Sequence, residues 1–96
     1  MTLDELRRRR DRLLDLAGRH GARNLRVFGS VARGEAQSGS DVDFLVEMTP
    51  GRSLLDLGGL QMDLSEELGC KVDVVSDRGL KPPRRERILA EAAALI

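Results

Sequence analysis

Leu3, Leu6, Leu13 and Leu16 recur near helical spacing, so they line one side of a helix, and Asp4, Glu5, Asp11 and Asp15 are interleaved with arginines as i,i+4 partners. A helix over residues 3–18 is predicted. From Asn24 the pattern changes. Asn24-Leu25-Arg26-Val27-Phe28 reads as a strand, residues 30–35 as a short helical turn, and Asp41 to Glu47 as a second strand. Leu54, Leu57, Leu64 and Leu68 mark one face of a helix over 53–68, and Lys71 to Val75 is a third strand. Pro82-Pro83 stops anything upstream and suits the first turn of a last helix over 83–95.

Three strands among helices predict an α/β fold: a small sheet, three-stranded or slightly larger, flanked by helices. Its strand order and directions stay open at this level. Gly58-Gly59 inside the middle helix costs about 1 kcal/mol per glycine relative to alanine, so close packing against the sheet, or a kink, is expected there. Ninety-six residues suit one compact domain over 1–96, large enough to bury roughly 65% of the surface its unfolded chain exposes. No apolar run approaches a membrane span, and the charged start Met1-Thr2-Leu3-Asp4-Glu5-Leu6-Arg7 lacks the core of a signal peptide. A cytoplasmic protein with no membrane partner is expected. Cys70 is the single cysteine, which leaves no internal disulfide and no cysteine-based zinc site.

Net charge is zero but unevenly placed: +4 over residues 1–40, −6 over 41–80 and +2 over 81–96. The acidic middle favours a cation site. Arg7-Arg8-Arg9-Arg10 with Arg12 raises nucleic acid as a partner. The interleaved acids and the lack of aromatics for base stacking argue instead for a solvated helix face or a protein contact, so no direct nucleic-acid binding is expected.

The informative chemistry lies between Gly29 and Asp43. Gly29, with no Cβ, lets the backbone come close to a ligand, and Ser30 adds a hydroxyl and an N–H where anionic oxygens are favoured. Ten residues later comes Asp41-Val42-Asp43, two carboxylates that a strand turns to the same face. Two like charges side by side repel unless a cation lies between them, and hard oxygens paired with phosphates are how magnesium is held in nucleotide sites. The implied ligand is Mg²⁺ with a nucleoside triphosphate. Two other phosphate motifs fail: Glu35-Ala36 stand where a P-loop needs Lys and Ser/Thr, and Val31 stands where the dinucleotide fingerprint needs glycine. The bland readings are a turn at Ser38, Gly39 and Ser40 ahead of solvent-facing acids, and Ser30 as a plain helix cap. His20 reads as a C-terminal cap rather than a catalyst. Arg33 can reach the phosphates, a partner or only solvent, and Arg84, Arg85 and Arg87 face solvent or a partner.

The Gly-Ser, ten-residue gap, Asp-x-Asp pattern resembles the signature of the DNA polymerase β-type nucleotidyltransferases. More closely, Arg26 to Ala36, Ser40 to Glu47, Lys71 to Val75 and Arg85 to Leu89 resemble, in order, the minimal nucleotidyltransferases that act as antitoxins beside HEPN-domain toxins. The resemblance implies a mixed sheet and a third carboxylate at Asp73. It makes Asp41, Asp43 and Asp73 catalytic metal ligands for Mg²⁺, as a pair of ions, with Asp73 also able to accept the proton of the attacking hydroxyl. Gly29, Ser30 and Arg33 then bind ATP. The implied function is transfer of AMP to a hydroxyl, a tyrosine's, on a HEPN-type RNase toxin held in a hetero-oligomeric complex, which silences it. Two alternatives stay open: an antitoxin that acts by binding alone, and a nucleotidyltransferase acting on a small molecule or nucleic acid.

Overall fold

The computed structural model describes residues 1–37 and 39–95, so of the turn expected at Ser38, Gly39 and Ser40, Ser38 lies outside the described residues. The chain opens with α1 (Leu3–Arg8) and α2 (Arg10–Arg19). One helix over 3–18 was expected, and the chain breaks at Arg9 (φ −101°, ψ 9°). Nothing local demands the break, since arginine is a good helix former. Long-range contacts accompany it: the Arg9 guanidinium donates to the Glu67 carbonyl at 3.3 Å and Arg12 Nε to Glu67 Oε1 at 2.7 Å.

Strand β1 (Ala22–Phe28), helix α3 (Gly29–Arg33), strand β2 (Val42–Met48), helix α4 (Leu54–Leu68) and strand β3 (Val72–Ser76) follow, close to the predicted positions. Helix α4 begins with a reciprocal cap, Ser53 N–H donating to Asp56 Oδ2 at 3.0 Å and Leu55 N–H to Ser53 Oγ at 3.2 Å. A 3₁₀ turn (Asp77–Gly79) leads to α5 (Arg84–Glu91). The predicted last helix, 83–95, is too long. It ends at Glu91, Ala92 is extended, and Ala93–Ala94 forms β4. Alanine's helical preference is overridden here by pairing, Val27 with Ala93 and Arg26 with Ala94, and by complete burial of Leu95.

The four strands form one mixed sheet in the order β3-β2-β1-β4. β1 is antiparallel to both neighbours, while β2 and β3 are parallel. Parallel neighbours need a long crossover, which α4 supplies. Alternation along the strands then divides the side chains between two faces. Val42, Phe44 and Val46 of β2, with Val27, Val72 and Val74, join Leu6, Leu13, Leu16, Leu60 and Leu64 of the helices in the main core. On the opposite face Phe28 and Leu45 pack with Leu80 and Ile88, so α5 covers only part of it.

Within α4 the buried leucines are Leu60, Leu64 and Leu68, with Leu57 partly buried. Leu54, expected on that face, is 84% exposed, because it lies in the first turn, beyond the edge of the core. A Cβ on Gly59 would lie 2.9 Å from His20 Cε1, so the close packing expected there is made with His20 rather than with the sheet, and α4 runs unbroken. His20 is the C-cap residue of α2, and its Nε2 pairs with Asp63 Oδ2 at 2.6 Å. No helix among the described residues is long and apolar enough to cross a membrane.

Candidate active site

The strand register brings the candidate aspartates Asp43 and Asp73 to one row. Because β1 and β2 run antiparallel, the end of β1 meets the start of β2, and Phe28 pairs with Asp43. Because β3 runs parallel to β2, Asp43 is in turn aligned with Asp73. Register neighbours project to the same face, on strands about 4.8 Å apart, so the Asp43 and Asp73 carboxylates share the face that α5 leaves partly open. Val72 and Val74 are buried on the other side, as the alternation required.

Gly29 follows Phe28 with φ +75°, a left-handed backbone that side chains disfavour, and a Cβ there would overlap Asp43 Oδ2. The glycine therefore does two things: it turns the chain into α3 and it leaves the space that the Asp43 carboxylate occupies. Ser30 is the second residue of α3, whose N-cap residue is Phe28, so the plain cap reading of Ser30 is set aside. Arg33, one turn on, pairs with Glu35 at 2.9 Å and Glu91 at 3.0 Å.

Asp41 lies just before β2 rather than in it, and its Oδ2 is 3.5 Å from Lys71 Nζ. Burial pushes the Asp43 carboxyl above its usual range, and the charges of Asp73 and Asp41 push it the same way, while Arg84 opposes them. Positive charge placed beside Asp43 would favour its ionised form. Among the described residues, no three His, Cys, Asp or Glu side chains already stand grouped as a ready-made metal cage. The donor chemistry nevertheless fits a hard divalent cation: carboxylate oxygens, two of them from aligned strand positions and one from the adjoining loop. A separate cleft of about 340 Å³, lined by Leu3, Val31, Ala32 and Arg33 among others, lies against the N-terminal segment and contains none of the three aspartates.

Glu91 escaped the reading of the sequence. It accepts from Gly29 N–H at 3.0 Å through Oε1, and from Arg33 Nη1 at 3.0 Å through Oε2. Arg84, left between solvent and partner, contributes positive charge at Asp43, and Arg85 donates to the Asp77 carbonyl at 2.6 Å. No spacing along the chain announces Glu91, since 62 positions separate it from Gly29.

The Nucleotidyltransferase domain family profile matches residues 6–96. The chain is 38% identical over 96 residues, the full length of both, to the proposed protein adenylyltransferase MJ0435 of Methanocaldococcus jannaschii. It is 42% identical over 77 residues, 80% of this chain and 78% of the other, to the protein adenylyltransferase MntA of Thermococcus cleftensis. Among solved structures, a proposed minimal nucleotidyltransferase superposes with a TM-score of 0.84 at 54% identity, covering 96% of this chain and 94% of that one. A toxin–antitoxin structure with AMP-PNP shares the fold, with a TM-score of 0.77 at 19% identity over 90% of this chain and 71% of that one.

Proposed function

The chain belongs to the nucleotidyltransferase domain family, and we propose that it transfers AMP from ATP to a tyrosine hydroxyl of a HEPN-type RNase toxin, acting as that toxin's antitoxin in the cytoplasm. The single observation that carries the chemistry is the aligned pair Asp43 and Asp73 beside Gly29, whose missing Cβ admits the Asp43 carboxylate. The acceptor reading is supported by two relatives named as protein adenylyltransferases and by a shared fold with a toxin–antitoxin structure that contains AMP-PNP.

In this reading Asp41, Asp43 and Asp73 hold Mg²⁺. When bound, the ion supplies neutralisation of the charge that builds on the phosphoryl oxygens. Ser30 and Arg33 hold the triphosphate, Ser30 by its hydroxyl and Arg33 as a forked donor matched to phosphate. Gly29 keeps the backbone close to it. Asp73 accepts the proton of the attacking hydroxyl, and the partner protein supplies that hydroxyl in line with the outgoing pyrophosphate. Bringing the two reactants together accounts for much of the rate.

The experiment is neutralisation in cells that co-express the toxin with wild type or with Asp41→Asn/Asp43→Asn. Loss of protection, with the complex still recovered by affinity purification, supports catalysis. Full protection by the double variant would replace it with an antitoxin that acts by binding alone.

A further inference from the structure

The Glu91 side chain bonds both Gly29 and Arg33 of the nucleotide-binding turn, and its place is fixed by the fold. It is the last residue of α5, and two residues later Ala93 is locked into the β1 ladder opposite Val27. The ladder therefore delivers Glu91 to the end of β1, where Gly29 begins the turn. Both of its carboxylate oxygens are used: Oε1 takes the Gly29 N–H at 3.0 Å and Oε2 takes Arg33 Nη1 at 3.0 Å. The side chain is 23% exposed, so these bonds are only partly screened by water.

Arg33 is otherwise a poorly constrained residue. Its side chain is 45% exposed and its other partner is the more exposed Glu35. A long exposed arginine loses considerable rotamer entropy when it grips a phosphate. A carboxylate that already holds one arm of the guanidinium reduces that loss and leaves the remaining N–H groups to face the ligand. The same carboxylate, by holding the Gly29 N–H, steadies the turn against which Asp43 is packed.

We propose that Glu91 is a positioning residue for nucleotide binding: it fixes the Gly29 turn and presents the Arg33 guanidinium to the triphosphate. This assignment rests on the nucleotidyltransferase reading of Gly29 and Arg33. It differs from the other role a carboxylate could have there, that of an internal anion competing with phosphate, because the two predict opposite changes in affinity.

The test is a double-mutant cycle on ATP binding, measured by calorimetric titration of ATP in Mg²⁺ into wild type, Glu91→Ala, Arg33→Ala and the double variant, with a melting curve for each. Glu91→Ala should weaken ATP binding roughly tenfold, about 1.4 kcal/mol. In the Arg33→Ala background the same change should weaken it less than threefold, since the residue being positioned is gone. Glu91→Gln, which keeps an acceptor for Gly29 N–H but loses the charge that holds Arg33, should fall between wild type and Glu91→Ala. A purely structural role would lower affinity equally in both backgrounds, and that additivity overturns the proposal. Unchanged or tighter binding by Glu91→Ala overturns it as well. If wild type itself binds no ATP, the nucleotidyltransferase reading fails instead, which keeps the two failures distinct.

Discussion

Replacing Gly29 by alanine separates the backbone cost of the turn from its chemical purpose, because the chain contains its own control. Gly29 and Gly34 share a positive φ, +75° and +74°. At Gly34 an added Cβ meets nothing within 4 Å, whereas at Gly29 it overlaps Asp43 Oδ2. An L-residue in this conformation costs about 1–2 kcal/mol, so both variants should lose that much stability. For a domain of this size the loss corresponds to a fall in Tm of roughly 4–15 °C. The contact at Gly29 adds little to this, because a carboxylate tip can swing aside. That swing moves Asp43 out of line with Asp73, and a displacement near 1 Å in a catalytic group costs on the order of a hundredfold in rate. The assay is transfer of label from α-³²P-ATP to the proposed toxin partner, with stability read by circular dichroism. Gly34→Ala should transfer at near the wild-type rate at a temperature where it is folded, and Gly29→Ala should fall about a hundredfold at the same folded fraction. Equal rates in the two variants would refute the argument that Gly29 exists to admit Asp43.

The remaining predictions concern stability. Asp43 has a raised carboxyl in the fold, so its contribution is favourable below the unfolded value and is lost as pH rises through the raised one. Without metal, Asp43→Asn should therefore melt above wild type at pH 7, and the gap should close as the pH is brought below 4. A lower Tm for the variant at neutral pH would contradict this. In α4, Gly58 has open space for a Cβ and Gly59 has the His20 ring, so Gly58→Ala should stabilise by about 0.5–1 kcal/mol in urea unfolding while Gly59→Ala should not. Leu95→Ala, at a fully buried position just after β4, should cost about 2–4 kcal/mol; a cost below 1 kcal/mol would argue for an exposed C-terminal helix.

What the sequence disclosed and what it hid follow from the range of the forces involved. Gly29, Asp41 and Asp43 are separated by one short loop, and strand alternation alone orients Asp43 and Asp73, so their placement together was legible. The pairing of Asp43 with Asp73 depends on strand order, which the chain's local pattern leaves open and the register settles. The end of the last helix was misjudged because Ala92 to Ala94 carry a helical preference that pairing with β1 outweighs. Glu91 stayed hidden for the same reason: without β4, nothing brings it to Gly29. Likewise the break at Arg9 is accompanied by contacts to Glu67, a residue on a distant helix.

The most direct measurement is the intact mass of the proposed HEPN-type toxin partner after incubation with this chain, ATP and Mg²⁺, with Asp41→Asn/Asp43→Asn in parallel. The account predicts a gain of one or more whole AMP units with the wild-type chain and none with the double variant. An unmodified toxin that is nevertheless bound and inhibited by the wild-type chain would contradict it.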